Sequence, residues 1–323
     1  MKKIILSGMQ PTGKLHLGNL EGALKNWVAL QNDYEMYCCI VDWHSLTSDY
    51  MDTTSLQQSI KEVTLDYLSA GLDPENCAIF VQSEVKEHAE LHLLLSMLIP
   101  VARLARVPSY KEKRKELGLD SYGFLGYPIL QSADILLYKA DCVPVGKDQL
   151  PHIELTREVA RKFNSLYGEI FPEPEALLTP NPLIPGVDGR KMSKSYNNEI
   201  AISDTAEESA RKISKMFTDP LKIHKGDPGR PDLCPVFHLH KIYTPDYKQI
   251  HDNCISGKLG CVEDKKNLAK NLNLSLREIR EKRKALEQNP EYLSKILREG
   301  AARAREKAQE TMREVRKAMR LIS

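Results

Sequence analysis

Short continuous apolar runs alternate with helical spacing of apolar residues over the first third of the chain. The runs "KIILSG", "MYCCIVDWHS" and "CAIFVQSE" end in polar or turn residues, which is typical of buried strands. Between them, apolar positions recur with helical spacing over 20–31 and about 55–69. Strands that alternate with helices of this length predict βαβ units and a parallel sheet, so we expect an α/β fold.

The composition changes near residue 180. The stretch "TPNPLIPGVDGRKMSKSYNN" is rich in Pro, Gly and Asn, which predicts a loop. Nearly all of the chain beyond it has the spacing of amphipathic helices. We therefore predict two units, an α/β unit over 1–187 and a helical unit over 188–323.

Bulk composition limits the class of protein. A chain of 323 residues with 41% hydrophobic and 28% charged residues is typical of a globular protein with one large domain or two moderate ones. Its longest apolar stretch, "LHLLLSMLIPVA", is too short to cross a bilayer, so we expect a buried helix and no membrane association. The N-terminus predicts a strand and not a signal peptide, and the seven cysteines are an odd count. We therefore expect a cytoplasmic protein with reduced thiols.

Charge is distributed unevenly along the chain. The formal net charge is +2, but the stretch from Leu276 onward contains 14 Lys or Arg against 8 Asp or Glu. A basic face of this kind fits a surface that contacts phosphate backbones. A solvated helix with internal ion pairs has the same composition, and the sequence leaves both interpretations open.

The stretch "SGMQPTGKLHLGN" follows the first predicted strand and enters the first helix, where α/β proteins bind nucleotides. Gly8, Gly13 and Lys14 match most of the phosphate-loop pattern of ATPases. That pattern needs a hydroxyl after the lysine to hold Mg²⁺, and Leu15 has none, which disfavours it. In the alternative interpretation, His16 and Asn19 donate hydrogen bonds to phosphate, and Gly18 lets adenine or ribose approach the backbone closely.

A second polar stretch, "GRKMSKS", lies in the predicted loop. It places Lys191 and Lys194 three residues apart, together with Ser193 and Ser195. Two lysines and two hydroxyls on an irregular loop suit the clamping of a polyphosphate leaving group. An isolated K-x-x-K pattern is usually an exposed basic loop with no function. The full string "KMSKS" after an α/β unit favours a functional loop.

Together, "HLGN" and "KMSKS" resemble the paired motifs of the class I aminoacyl-tRNA synthetases. The segment "YPILQSADILLYKADCVPVGKDQLPHIELTREVARKFN" is similar to the tryptophanyl-tRNA synthetases within that class. The resemblance implies a Rossmann-like parallel-sheet catalytic domain over 1–187, with a dimer-interface insertion at about 90–130. It also implies that 188–323 contains the KMSKS loop and a helical anticodon-binding domain. A homodimer follows, with "LLSMLIPVARLARV" as the expected interface.

The resemblance also implies residue roles in ATP binding and catalysis. It assigns catalysis to Lys191, Lys194 and Gln10. It assigns ATP contacts to two loops and the lysine stretch, namely Gln10, Pro11, Thr12, His16, Gly18, Asn19, Gly146, Lys147, Asp148, Lys191, Met192, Ser193, Lys194 and Ser195.

Tryptophan recognition is implied at a second set of positions. Asp134 matches the carboxylate that accepts the indole N–H, a role that suits a ligand with one donor and no acceptor. From the residues alone, Asp134 could equally be a helix N-cap, because an apolar run follows it. The other implied pocket residues are Gln149, His44, Val143, Val145, Gln131 and Leu6. Val143 and Val145 could instead be strand core, and Gln131 resembles the tyrosine enzymes, which leaves tyrosine as an alternative substrate.

The implied activity is ATP-dependent attachment of L-tryptophan to tRNA(Trp) through an adenylate, with ATP and Mg²⁺ as the small molecules required. A tyrosyl-tRNA synthetase and a non-catalytic RNA-binding paralogue are the alternatives.

Three cysteines fall within 28 residues, at Cys234, Cys254 and Cys261. Three thiolates with a fourth ligand could bind Zn²⁺, or could hold a [4Fe–4S] cluster incompletely. In similar members of the family a fourth cysteine follows the third at the position that is Asp264 in this chain. Structural free thiols are the alternative.

Overall fold

The computed structural model describes residues 2–178 and 183–322, except for the side chains of Lys113 and Leu117. Five strands form one parallel sheet in the order β3-β2-β1-β4-β5. Their bounds are β1 Ile4–Met9, β2 Glu35–Ile40, β3 Cys77–Val81, β4 Cys142–Val145 and β5 Glu175–Leu178. The predicted α/β fold with a parallel sheet is confirmed.

Helices surround the sheet and make up most of the chain after it. They are α1 Leu17–Asn19, α2 Lys25–Leu30, α3 Asp42–Asp49, α4 Leu56–Ser69, α5 Glu87–Ser96, α6 Val101–Leu104, α7 Pro108–Leu117, α8 Tyr122–Leu137, α9 Leu150–Tyr167, α10 Ala206–Ser214, α11 Pro235–Tyr243, α12 Tyr247–Ile255, α13 Cys261–Glu287 and α14 Pro290–Ala318. A π-helical turn, Leu20–Leu24, joins α1 to α2.

The inner strands are apolar on both faces because helices cover the sheet from both sides. Alternate side chains of a strand point to opposite faces, and two separate core clusters result. Leu6, Tyr37 and Phe80 belong to one cluster, whereas Ile5 and Ile79 belong to the other. The paired register of Leu6 with Tyr37 and of Ile5 with Cys142 keeps neighbours on the same face.

The predicted strands and helices are present, with two differences in extent. The run "MYCCIVDWHS" is a strand only as far as Ile40, and α3 begins at Asp42. The predicted helix over 20–31 begins with the π-helical turn, and α2 supplies its second half. The apolar stretch around Leu94 lies in α5, and no helix among the described residues is long and apolar enough to span a bilayer.

The long helix α14 returns from the helical part of the chain and packs against β3, the edge strand of the sheet. Gly300 permits the contact, since a Cβ there would lie 1.9 Å from the Ile79 carbonyl oxygen. Arg303 donates to the Cys77 carbonyl at 2.8 Å. Helix α14 thereby covers the edge of the sheet. Its Gly300 lets the helix approach the strand, and its Arg303 donates a hydrogen bond to a carbonyl at this edge.

Several cations of the basic C-terminal stretch are used inside the molecule. Arg305 donates to the Glu84 carbonyl, Arg316 pairs with Glu90 in α5, and Arg283 is 4% exposed and contacts α4. These contacts join α13 and α14 to other elements, whereas the alternative interpretation expected ion pairs within one solvated helix. Exposed cations such as Arg277 and Arg298 remain on the surface of α13 and α14.

We predict that Gly300→Ala destabilises the fold by about 1–3 kcal/mol, because the new methyl group forces α14 away from β3. Urea unfolding followed by circular dichroism measures the effect. The matched control is Gly123→Ala in α8, where an added Cβ meets no atom within 4 Å. Equal unfolding midpoints for the two variants would contradict the role assigned to Gly300.

Candidate active site at the carboxyl ends of the strands

The polar residues of interest gather at one edge of the sheet. The stretch 10–19 follows β1, α3 with His44 follows β2, Gln82 follows β3, and the short 3₁₀ helix Lys147–Gln149 follows β4. Because all strands are parallel, these segments lie at the same carboxyl edge, where α/β proteins place their ligands.

The stretch 10–19 forms backbone contacts with residues 200–202, which follow the loop 191–195 (the lysine loop). Leu15 is buried, and its carbonyl accepts from the Ile202 N–H at 3.0 Å. Leu17 N–H donates to the Ile200 carbonyl at 3.0 Å, and His16 pairs with Ala201 in an antiparallel bridge. The predicted ATP loop therefore has a rigid support on one side.

A side chain of the lysine loop contacts the stretch 10–19. Lys194 Nζ donates to the Thr12 carbonyl at 3.0 Å and lies 3.1 Å from Thr12 Oγ1. Burial lowers the pKa of Lys194 to about 8, although Asp66 and Glu199 oppose the shift. Burial, then Lys194 and Lys191, lower the pKa of His16 to about 4, so His16 is neutral at pH 7.

Asn198, which was not predicted from the sequence, holds the lysine loop in shape. It is 1% exposed, and its Oδ1 accepts from the Ser193 N–H at 2.8 Å. Its Nδ2 donates to Asp188 Oδ1 at 2.7 Å and to the Lys191 carbonyl at 3.2 Å. Met192 is buried, whereas Lys191 and Ser195 are exposed. The final "NN" of the predicted loop was the available signal, because Asn side chains commonly bond to nearby backbone in turns.

Asp134 lies well inside α8, whose N-cap is Ser121, so the interpretation of Asp134 as an N-cap is wrong. It is 3% exposed and is surrounded by donors. His44 Nε2 lies 2.8 Å from Oδ2, while Gln82 Nε2 and His88 Nδ1 each lie 2.7 Å from Oδ1. Burial alone would raise the pKa of the Asp134 carboxyl, but His88 and His44 bring it below its usual range. The site therefore contains a buried, ionised acceptor.

His88 and Gln82 are the residues of this network that sequence reasoning missed. Gln82 is fully buried directly after β3, and His88 Nε2 lies 2.8 Å from Tyr138 Oη. The signal was the polar "QSE" at the end of the third strand, since the ends of parallel strands share one edge. His88 comes from α5 and had no signal in its local pattern.

The other predicted pocket residues fall into two groups. Leu6, Val143 and Val145 are buried in one core cluster, which also contains Tyr37 and Phe80. Both valines lie in β4 and contribute to this cluster. The half-buried residues are Gln131 and Gln149, with Gln131 one turn before Asp134 on α8.

The remaining predicted ATP residues follow the carboxyl ends of β1 and β4. Gln10 is half-buried and its carbonyl accepts from the Thr12 N–H at 2.9 Å, and Pro11 is buried. Asn19 Oδ1 accepts from the His16 N–H at 3.0 Å. A Cβ at Gly18 would lie 2.8 Å from the His16 ring, which explains the glycine. After β4, Gly146 is half-buried and both Lys147 and Asp148 are exposed.

The cysteine group does not have the geometry of a metal site. Among the described residues, which include all three cysteines, no group of three or more His, Cys, Asp and Glu side chains could hold a metal ion. Asp264, in the place of a fourth ligand, lies 3.1 Å from His240 Nε2. Burial raises the pKa of Cys254 to about 11, and the opposing charge is the nearby ammonium of Lys222. A fixed cation at this position disfavours a second one, so the metal prediction for Cys234, Cys254 and Cys261 is not supported.

Comparison with known proteins identifies the family. The family described as tRNA synthetases class I (W and Y) matches residues 2–277 of the chain. The chain belongs to this family of class I tRNA synthetases. The phosphate-loop interpretation of Gly13 and Lys14 is therefore wrong.

Relatives that match this chain over nearly its full length include tryptophan enzymes. A tryptophan–tRNA ligase of Thermotoga maritima is 50% identical, over 98% of this chain and 99% of the relative. One from Aquifex aeolicus is 46% identical, over 98% and 99%. A crystal structure of the tryptophanyl-tRNA synthetase from Campylobacter jejuni, complexed with ADP and tryptophan, has a TM-score of 0.89 at 37% identity, covering 98% of this chain and 100% of that chain.

We predict that Lys194 acetylates with an unusual pH dependence. At pH 8 about half of a lysine with a pKa of about 8 is the reactive neutral amine, compared with below about 1% for an ordinary lysine. Its rate with limiting acetic anhydride, followed by peptide mass spectrometry, should level off above pH 9. Nα-acetyl-lysine in the same solution is the control, and its acetylation rate continues to rise above pH 9. A Lys194 rate that rises in parallel with that of the free amino acid would contradict the lowered pKa.

Proposed function

We propose that this chain attaches tryptophan to tRNA(Trp) in two steps that consume ATP. The observation that carries the proposal is the contact of Lys194 with Thr12. This contact brings together the lysine loop and the stretch 10–19, which are the two segments that resemble the family's ATP-binding motifs. The buried carboxylate of Asp134 lies at the same edge of the sheet. The full-length relatives named as tryptophan–tRNA ligases support the choice of amino acid.

In the first step, a carboxylate oxygen of tryptophan attacks the α-phosphorus of ATP. The bond from this phosphorus to the bridging oxygen breaks, which yields tryptophanyl-adenylate and releases pyrophosphate. Lys191 and Lys194 neutralise the charge that develops on the leaving group, and Gln10 orients the nucleotide. Lys194 must leave Thr12 to reach a phosphate, so its two hydrogen bonds define the state before the nucleotide binds.

His16 contributes without adding charge. Because its ring is neutral at pH 7, it can donate one hydrogen bond to a phosphate or ribose oxygen. His16 Nδ1 is buried and has no hydrogen-bond partner among the described residues, which leaves that nitrogen for a ligand.

The chain fits Mg²⁺ that arrives with the nucleotide better than Mg²⁺ in a protein cage. The loops at the phosphate position contain lysines and hydroxyls, and no described group of carboxylates could hold a metal ion. Mg²⁺ commonly binds through substrate phosphates, where it shares the neutralisation of charge. Lys191 and Lys194 supply the remainder from the protein.

Selection of tryptophan rests on Asp134. Its carboxylate has about four acceptor positions, and His44, His88 and Gln82 use three of them. One position remains for the indole N–H, and the buried Leu6, Val143 and Val145 supply apolar surface in the adjoining core. Gln131, one turn away, is the polar exception and is the reason to test tyrosine in parallel.

In the second step, the terminal ribose 2′-hydroxyl of the tRNA attacks the carbonyl carbon of the adenylate, and AMP leaves. We assign nucleotide and amino-acid binding to residues 1–187, and the lysine loop and anticodon contacts to 188–323. Exposed cations such as Arg277, Lys284 and Arg298 would contact phosphates there, which makes tRNA binding sensitive to salt. Helix α14 packs on the sheet and so connects the two parts.

We also propose a homodimer formed through the region of about 90–130. In the expected interface segment, Leu95 and Ile99 are buried within the chain, whereas Leu93, Met97 and Val101 are 55%, 67% and 65% exposed. Three exposed apolar side chains on α5, on its C-cap and on α6 are typical of a surface that another protein covers. Sedimentation velocity should give a mass of two chains for the native protein and of one chain for Met97→Asp. A native mass of 36.7 kDa would contradict the dimer.

ATP–pyrophosphate exchange tests the proposed function directly. Reactions with tryptophan, with tyrosine and with no amino acid run in parallel, and we expect exchange with tryptophan alone. Exchange with tyrosine would instead indicate a tyrosyl-tRNA synthetase, the other enzyme type in this family. Absence of exchange with either amino acid, from folded protein, would favour the non-catalytic paralogue.

We predict that Asp134→Asn raises the KM for tryptophan by about fivefold to 150-fold, equivalent to about 1–3 kcal/mol. The amide loses the charge and turns donors toward His44 and Gln82, whereas the KM for ATP should stay within about twofold. Asp141→Asn is the matched control, since this carboxylate accepts a backbone N–H from Ile4 at 2.7 Å, away from the pocket. Equal KM increases for both substrates would indicate general damage to the fold.

A further inference from the structure

Asp66 occupies an unusual position for a carboxylate. It lies in the interior of α4, is 0% exposed, and does not cap the helix. A buried charge of this kind is costly unless other groups pair with it. Asp66 has two such partners, one from the ATP loop and one from the helical part of the chain.

The first partner is the ATP loop itself. Leu15 N–H donates to Asp66 Oδ2 at 2.7 Å, from the residue directly before His16. On its other side, the Leu15 carbonyl accepts from the Ile202 N–H. One peptide segment is thus held between α4 and the strand-like stretch that follows the lysine loop.

The second partner is Arg283 of α13. Its Nη1 donates to Asp66 Oδ1, its Nη2 pairs with Glu62, and its Nε donates to Glu287 Oε1 at 3.1 Å. The guanidinium is 4% exposed, so its three carboxylate partners replace solvent. Asp66 is the member of this group that also touches the ATP loop.

We propose that Asp66 is a positioning residue for the ATP loop, and that Arg283 transmits the position of the helical domain to that loop. This inference rests on the proposed function, since it assigns to Leu15–Leu17 a place beside ATP. A shift of α13 moves the guanidinium, the carboxylate follows, and the Leu15 N–H follows in turn. Contacts that tRNA makes with the helical domain therefore have a route to the nucleotide through this buried ion pair.

The charged groups that face Asp66 come from three elements. They are Arg283 on α13, Glu62 on α4, and Lys194 from the lysine loop. Burial raises the pKa of Asp66 to about 6, while Arg283 and the Leu15 N–H oppose the shift. Between pH 7 and pH 5 the carboxylate therefore gains a proton and its hold on Leu15 weakens.

Two isosteric variants on the same face of α4 separate positioning from general support. Asp66→Asn and Glu62→Gln each remove one negative charge from Arg283, but Asp66 alone contacts Leu15. We expect Asp66→Asn to raise the KM for ATP by about tenfold with little change in the KM for tryptophan. Glu62→Gln should change the KM for ATP by less than about twofold.

The pH profile provides a readout that a merely structural residue would not move. In the wild type, the KM for ATP should rise as the pH falls through about 6. The profile of Asp66→Asn should be flatter. Protonation of ATP itself affects both proteins equally, so it does not account for a difference between the two profiles. Equal effects of the two substitutions on ATP, or identical pH profiles of the wild type and Asp66→Asn, would overturn the proposal.

Calorimetric titration with ATP distinguishes failure of this inference from failure of the proposed function. If the wild type binds ATP but catalyses no exchange, the proposed function is wrong. The role of Asp66 is then still tested by the Kd for ATP, which should be higher for Asp66→Asn than for Glu62→Gln. If Asp66→Asn does not fold, Arg283→Lys replaces it, with the expected loss of ATP affinity and none of tryptophan affinity. A wild type that does not bind ATP would overturn both proposals.

Discussion

The central strand β1 is the constraint on which the rest of the structure depends. It pairs with β2 on one side and β4 on the other, and its side chains enter a different core cluster on each face. Burial on both faces fixes its register, because a shift of one residue would exchange the two faces. The stretch 10–19 leaves the carboxyl end of this strand, so the fixed register of β1 also fixes where that stretch begins.

Much of the fold could be predicted from the sequence because its signals are local. Continuous apolar runs gave β1, β2 and β3, and the Pro- and Gly-rich stretch before the lysines gave a loop. The π-helical turn at Leu20–Leu24 could not be predicted, since its apolar spacing differs little from that of an ordinary helix. The return of α14 onto β3 is also invisible in a local pattern, except through the unexplained Gly300.

In the candidate site too, residues with a local sequence signal were predicted, and residues that act through tertiary contacts were missed. Lys194, Asp134 and His44 were found because they stand in recognisable motifs, and the structure brings His44 and Asp134 within hydrogen-bond distance. His88 and Asn198 were missed because their roles arise from tertiary contacts, with Asp134 and with the backbone of the lysine loop. The cysteine group shows the opposite failure. The spacing of the cysteines along the chain suggested metal ligands. In the structure, however, the ammonium of Lys222 lies 3.4 Å from the Cys254 carbonyl oxygen, and this positive charge disfavours a metal cation at the same place.

The covering of the sheet edge by α14 has a consequence for how the chain is made. Arg303 and Cys77, which it caps, are 226 residues apart. At a synthesis rate of about 5–20 residues per second, α14 leaves the ribosome roughly 10–45 seconds after β3. During this interval β3 is a sheet edge with unpaired carbonyls, and it can pair with any extended segment nearby. The emerging chain therefore exposes this edge until the last long helix covers it.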